Sequence, residues 1–385
     1  MPVITSIADL RALAKRRVPR AIFDYADGGA YEEITLRRNA ADLDALVFRQ
    51  RVMVDVSNAS TSATLLGQPV TMPVAIAPTG LAGLFHADGE ILGARAAAAF
   101  GIPFCLSTMS ICSIEDVRAA TNQPFWFQLY LMKDRGFNQE LMDRAHSAGC
   151  PALILTLDLQ VQGERRRDAK NGLTIPPRLT LRNALDVARK PSWALKVLCG
   201  KRRSFGNLAG KIGGASGVRT LSAWIATQFD PAANWNDVLW VRNRWKRKLI
   251  VKGIMDIEDA RIAAACGVDA IVVSNHGGRQ LDGAPSSIAV LPEIAIALDG
   301  RCELLFDGGI RTGQDVLKAL ALGARGVLVG KSFLYGLAAQ GQSGVTQALE
   351  IIQRELRVSM ALVGRNSTSV LDAQILRPHH IAVNA

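Results

Sequence analysis

The residues best suited to chemistry in this chain lie in one stretch, IVVSNHGGRQLDG, positions 271–283. His276 brings an imidazole, which exchanges its proton near neutral pH. Arg279 brings a planar fork of N–H donors that matches a carboxylate or a phosphate. Gly277 and Gly278 separate the two, and the β-branched run Ile271-Val272-Val273 stops where this polar group begins. A buried strand that ends this way turns its tip toward a ligand. The spacing raises a question: why should a base and a clamp stand three residues apart around two glycines?

The elements that must position them recur along the chain. A short β-rich run, a polar or glycine tip and a helix-like segment follow one another repeatedly. The runs are MPVAIAPTG (72–80), GIPFCLST (101–108), PFWFQLY (124–130), PALILTLD (151–158), KLIVKG (248–253), DAIVVSNHGG (269–278), CELLFDGG (302–309) and RGVLVGKS (325–332). The stretches ADGEILGARAAAAF, SIEDVRAA and TGQDVLKALALGA between them space apolar residues as helices do, and the latter two begin on capping residues. Eight strands alternating with helices predict a parallel (β/α)8 barrel, whose site lies at the C-terminal strand ends. An open doubly wound sheet is the weaker alternative, because no G-x-G-x-x-G follows the first strand.

Residues 1–65 precede the barrel and read as a helical extension with a turn-rich DYADGGA. The segment from about 170 to 235 interrupts the units between the fourth and fifth strands. Pro176-Pro177, Pro191 and the Gly/Ser-rich GKIGGASG mark it as an insertion within one domain spanning 1–385. In the last two units, LLFDGGIRTGQDVLKALALGARGVLVGKSF offers successive glycine-bearing tips with Arg311 and Lys331. Barrels of this class commonly hold phosphate there, on backbone N–H groups and a helix N-terminus. His86, His146, His379 and His380 lack acidic or thiol companions at metal-binding spacing, so no metal site is expected.

Composition sets the outer limits. The 385 residues are 49% hydrophobic and 21% charged, which excludes disordered and collagen-like classes. No apolar run reaches the roughly 18 residues of a spanning helix. The first twenty residues read as an amphipathic helix without the order of a secretory signal, so a cytoplasmic setting is expected. Six scattered cysteines form no C-x-x-C pair, which argues against a zinc site or a disulfide framework. The formal charge is +11, and it is concentrated: Lys170 to Thr220 holds eleven Lys or Arg and one acid, Asp186, a net of +10. Such a block suits a polyanionic surface.

SNHGGRQLDG, with FDYADGGA, WFQLY, LTLD…GERRRD, IVKGI and DGGIRTGQDVLKALALGA, resembles the FMN-dependent L-2-hydroxy-acid dehydrogenases and oxidases, from about Asp9 to Gly364. That resemblance implies the same barrel and makes FMN the expected cofactor. It implies that His276 takes the substrate hydroxyl proton, with Asp158 holding the imidazolium, and that Arg279 grips the carboxylate. Tyr25 and Tyr130 would add hydroxyl contacts, and Arg165 would be a second, mobile arginine. Lys252 would offset charge near flavin N1. Ala77, Pro78, Thr79, Ser107, Gln128, Thr156 and Ser274 would contact the ring or ribityl chain, with Asp307 on the ribityl hydroxyls. Gly309, Arg311, Gly330 and Lys331 would surround the phosphate. The family usually has arginine where this chain has Lys331, which puts bidentate phosphate binding in question there. The glycines between base and clamp would let the backbone pass close to the flavin.

Members of this family differ in what reoxidises the flavin. Gly80, in APTGLAG, stands where many of its oxidases carry alanine, and GIPFCLST also resembles the membrane L-lactate and L-mandelate dehydrogenases. The basic insertion, apolar in PSWALKVLCG, resembles their membrane-binding segment and places residues 176–216, Trp193 among them, against an anionic lipid surface. The expectation is therefore a peripheral dehydrogenase on the cytoplasmic side of the inner membrane. It would oxidise L-lactate first and L-mandelate second, pass electrons to quinone and assemble as a homotetramer. The rivals are an O2-using oxidase producing peroxide and a basic barrel that binds RNA; no recognition motif accompanies the charge, so no nucleic-acid partner is expected.

Overall fold

The computed structural model describes residues 3–173, 180–208 and 227–377. The eight predicted runs all become strands: β3 (Val74–Ile76), β4 (Cys105–Ser107), β5 (Trp126–Tyr130), β6 (Ala152–Thr156), β7 (Lys248–Ile254), β8 (Ala270–Val273), β9 (Glu303–Asp307) and β10 (Gly326–Val329). All the pairings are parallel and follow chain order from β4 to β10, after which β10 pairs with β3. The seam between β3 and β4 is closed by a single bridge, Ile76 to Phe104, whose hydrogen bond runs from Ile76 N–H to the Pro103 carbonyl at 2.9 Å. The architecture is the eight-stranded barrel.

Each strand is buried on both faces, so alternation sorts its side chains between two cores. Along β6, Ala152 and Ile154 point into the barrel and join Trp126, Ile250, Val272, Leu305 and Leu328. Leu153 and Leu155 point outward against the helices. The helices begin where their caps say they should. Ser113 starts one over Ile114–Ala120 by exchanging hydrogen bonds with Asp116, and Thr312 does the same with Asp315 for Gly313–Ala321.

The N-terminal extension is helical only in part. Helices α1 (Ile7–Arg17), α2 (Arg20–Asp27) and α3 (Ile34–Ala45) are followed by a hairpin, β1 (Ala63–Leu65) and β2 (Gln68–Val70), that the sequence did not announce. Its Leu65, Leu66 and Val70 plug the lower end of the barrel interior, and the Leu66 N–H donates to the Glu303 carboxylate at 3.0 Å.

In the insertion, Pro176, Pro177 and all of GKIGGASG lie outside the described residues. What is described forms two short helices, Leu181–Ala188 and Pro191–Leu198, and a returning arm, residues 199–208. Trp193 corrects an expectation. Its indole N–H donates to the Leu84 carbonyl at 2.7 Å and its ring packs on the main core, so it faces the barrel, where an indole can satisfy both its ring and its N–H.

Candidate active site

The strand tips converge on one cavity of about 300 Å³. Fourteen of the residues singled out from the sequence line it: Tyr25, Ala77, Pro78, Thr79, Tyr130, Arg165, Lys252, His276, Arg279, Asp307, Gly309, Arg311, Gly330 and Lys331. Five others, Asp158, Ser107, Gln128, Thr156 and Ser274, are not part of that lining but adjoin it: Asp158 bonds His276, Ser274 bonds Lys252, Ser107 bonds Gln128 and the Met109 N–H, and Thr156 pairs with Lys252 in the sheet.

After β8 the chain turns through three left-handed residues, His276 (φ 59°), Gly277 (φ 64°) and Gly278 (φ 73°). This turn places the histidine and the arginine on one side of the cavity. Only glycine serves at 278, because a Cβ there would lie 2.5 Å from the Leu36 nitrogen. The Gly278 carbonyl accepts from Ala30 N–H at 2.9 Å, which joins this turn to the loop after α2.

His276 Nδ1 lies 2.8 Å from Asp158 Oδ1. Burial alone would raise the Asp158 carboxyl, but the imidazole and Lys252 bring it below its ordinary value. Burial lowers the imidazole, against the pull of Asp158 upward, and Lys252 and Arg165 lower it further. The pair is therefore a neutral imidazole beside an ionised carboxylate. Nδ1 then carries the proton toward Asp158, and Nε2 keeps a free lone pair. Tyr130 is held protonated by burial first, then by the Asp158 charge, so its phenol is a donor.

Lys252, β7's fifth residue, is buried and lies 2.9 Å from both Ser274 Oγ and Asp307 Oδ2. Burial works against its charge, but Asp307 and Asp158 prevail and raise its pKa. Ser274 Oγ donates to Asp307 at 2.7 Å and accepts from the His276 N–H at 3.0 Å, so one hydroxyl ties three strand tips together.

Arg279 stacks over the Tyr25 ring at 4.9 Å and donates to the Tyr25 and Gly28 carbonyls at 2.5 and 3.0 Å. Burial and the neighbouring Arg165 pull its pKa down to about 10, still charged at neutral pH. Lys331 opens the helix Lys331–Gln340 and donates to the Asp27 and Gly28 carbonyls at 2.7 and 3.2 Å. Burial, with Arg311 and Arg279 nearby, pushes its ammonium well below the usual range. Arg279 and Lys331 thus both hold the C-terminal end of α2, meeting at the Gly28 carbonyl, and Lys331 acts here as a strut.

Among the described residues four buried side-chain polar atoms lack a partner, and three of them belong to the predicted site: Gln128 Nε2 in the middle of β5, Thr156 Oγ1 at the end of β6, and Asp158 Oδ2 just after it. Buried amide and hydroxyl groups are seldom left unpaired unless a ligand completes them. The N-terminus of Lys331–Gln340 has no side-chain cap, so its first N–H groups are available to an anion. A flat heterocycle with hydrogen-bonding edges and a phosphate tail fits these unpaired atoms and this helix N-terminus.

A family model described as FMN-dependent dehydrogenase matches residues 14–378. The chain belongs to the FMN-dependent dehydrogenase family. FMN is accordingly its cofactor, and the unpaired atoms of Gln128 and Thr156 suit it. Among relatives, an L-lactate dehydrogenase of Caulobacter vibrioides is 49% identical over 97% of this chain and 98% of its own length. One from Ectopseudomonas mendocina is 47% identical over 97% and 99%. Among solved structures, the monotopic membrane protein (S)-mandelate dehydrogenase superposes with a TM-score of 0.93 at 36% identity, covering 98% of this chain and all of that one. A mandelate oxidase gives 0.82 at 37%, over 97% and 98%.

Within this FMN-dependent dehydrogenase, sequence reasoning missed residues that shape the cavity from behind. Glu90, almost fully buried, accepts from the N–H groups of Gly83, Ile111 and Cys112 at 3.1, 2.9 and 3.4 Å, stapling the loops after β3 and β4 together. Met109, Phe205 and Phe229 also line the cavity, the last with its ring edge-on to Tyr130 at 5.9 Å. No motif signals them, since each is an ordinary apolar or helical residue in the sequence.

Proposed function

We propose that the protein oxidises an L-2-hydroxy acid to the 2-oxo acid, with L-lactate first and L-mandelate second among substrates, and delivers the electrons to membrane quinone. The observation that carries this reading is the His276–Asp158 pair at 2.8 Å, with His276 lining the same cavity as Arg279 and with the unpaired atoms of Gln128 and Thr156 on the adjoining strands. Nε2 of His276 accepts the hydroxyl proton, and Asp158 stabilises the imidazolium that results. Arg279 and Tyr25 hold the carboxylate, Arg165 adds a second guanidinium, and Tyr130 donates to the reacting oxygen. FMN, when bound, supplies the acceptor for the α-hydrogen and its two electrons. Thr79, Ser107, Gln128, Thr156 and Ser274, beside Ala77 and Pro78, hold the ring and ribityl chain. Asp307 takes ribityl hydroxyls, Lys252 offsets charge at the ring, and Gly309, Arg311, Gly330 and Lys331 enclose the phosphate.

Anaerobic bleaching of the yellow protein by lactate, glycolate, mandelate and longer 2-hydroxy acids tests the reading and ranks the substrates. His276→Gln should keep FMN and lose the bleaching, and rapid bleaching in that variant would remove His276 from the role. Electron delivery is tested by comparing peroxide formation with dye reduction; equal rates would make the protein an oxidase.

Attachment to the cytoplasmic face of the membrane is part of the same proposal, resting on the insertion. Among the described residues no helix is long and apolar enough to cross a membrane. The helices Leu181–Ala188 and Pro191–Leu198 expose Leu181 and Leu195 at 78% and 72%, with Arg182, Arg189 and Lys196 around them, a surface suited to anionic headgroups. A homotetramer is the assembly we propose on family resemblance, to be checked by light scattering.

A further inference from the structure

We propose that Phe205, carried by the returning arm of the insertion, sets the size limit for the substrate side chain, and that Asn207 is the residue that positions it. The inference rests on the 2-hydroxy-acid reading above. The cavity is polar where the strand tips enter it, but its lining also includes the apolar side chains of Leu84, Met109, Phe205 and Phe229, the last edge-on to Tyr130. A 2-hydroxy acid has one variable group, so once its carboxylate and hydroxyl face Arg279 and His276, that group must meet the apolar wall. Phe205 is the part of this wall contributed by the insertion's described arm, and it is buried at 7% exposure.

The arm is bolted to the barrel on both sides of Phe205. Before it, Arg202 pairs with Asp88 and Asp116 at 2.7 and 2.8 Å. After it, the Gly206 N–H donates to the Ser110 carbonyl at 3.1 Å, so close that a Cβ on Gly206 would lie 2.6 Å from the Ser113 nitrogen. Asn207 is 1% exposed, and its side chain is fully engaged. Oδ1 accepts from Ile114 N–H at 2.9 Å, while Nδ2 donates to the Ser107 carbonyl at 3.2 Å and Ser110 Oγ at 3.0 Å. A primary amide with both ends buried and paired fixes register as well as position, because slipping by one residue would leave several polar groups unpaired. These partners run from the last residue of β4, through the loop after it, to the first residue of the following helix, and that loop also carries Met109. Asn207 therefore registers Phe205 against the same loop that shapes the rest of the wall. The insertion thus has an outward basic face and an inward arm that completes the substrate chamber.

The test uses the FMN-loaded, full-length protein and three variants. Phe205→Trp, which fills the chamber, should lower the ratio of kcat/KM for (S)-mandelate over L-lactate at least tenfold, and Phe205→Leu should raise it. Binding is read separately from turnover through the flavin absorbance change with acetate and phenylacetate. The phenylacetate-to-acetate ratio of dissociation constants should rise in Phe205→Trp and fall in Phe205→Leu. Asn207→Ala should shift both discrimination ratios more than threefold, with KM for mandelate changing more than kcat for lactate. Equal losses for both acids in every variant, or unchanged ratios, would overturn the proposal and leave the arm a structural brace. Failure of every 2-hydroxy acid to bleach the wild-type flavin would instead overturn the underlying function.

Discussion

At the scale of single residues, the site works by setting protonation states through burial and checking them with one neighbour each. His276 is neutral because burial lowers it, and Asp158 limits how far it falls. Asp158→Asn removes that upward pull. The acid limb of the kcat/KM profile should then move to lower pH, while kcat drops about a hundredfold or more as the imidazolium loses its counter-charge. An acid limb moving upward would contradict this ordering. Arg279→Lys should weaken oxalate binding about tenfold or more, roughly 1.4 kcal/mol, because one ammonium cannot supply two parallel N–H bonds. A flavin-absorbance titration measures it, and unchanged affinity would place the carboxylate clamp elsewhere. Those residues were legible because each sits in a contiguous motif at a strand end. Glu90, Phe205 and Asn207 were not, since what distinguishes them is the backbone N–H groups or cavity they meet across long sequence distances.

At the scale of elements, the C-terminal end of α2 gathers partners from three places. Asp27 receives a two-pronged hydrogen bond from Arg11 at 2.6 and 2.8 Å, the Tyr335 hydroxyl at 2.7 Å and Arg167 at 3.3 Å. Burial would raise its carboxyl, but Arg11 and Tyr335 win and hold it down to about 2. A carboxyl depressed in the folded state stabilises the fold above its unfolded pKa, near 3.8, and loses that contribution as pH falls through the folded value. Asp27→Asn removes the charge from the pair with the half-exposed Arg11 and should cost about 1–2 kcal/mol at pH 7. The gap from wild type should narrow between pH 4 and 2. Urea unfolding at pH 7, 4 and 3 measures both, and a gap that widens in acid would show that the carboxylate is not what holds this end of α2. DYADGGA is plainly a turn in the sequence, but its role as a junction depends on Arg11, Arg167 and Tyr335, which only the fold brings to it.

At the scale of the whole molecule, the barrel could be read from eight runs with polar tips because parallel strands buried on both faces leave short, dense apolar runs. The plug hairpin could not, since three-residue strands carry no period long enough to recognise. The insertion was half legible: composition revealed its charge, but not which side chains face the protein. Replacing Leu181, Leu185, Leu195 and Leu198 by serine, with the arm from Arg202 to Leu208 kept, should abolish sedimentation with anionic vesicles and preserve dye reduction with L-lactate. Vesicle binding equal to wild type would show that the outward leucines do not form the contact.

The closure of the barrel has a further consequence. Every other pair of neighbouring strands shares three or more registered positions, whereas β3 and β4 share one bridge. In hydrogen–deuterium exchange, the amide of Ile76 should therefore open before those of β6 and β7, by sub-global parting along this seam. The tips of β3 and β4 present Thr79 and Ser107, so a cofactor held by both would act as a latch across the gap. Loading FMN should slow exchange at Ile76 by a larger factor than at Leu153 or Val251. Uniform slowing across all three would mean that the cofactor stabilises the barrel as a whole, and that the seam is as firm as any other joint.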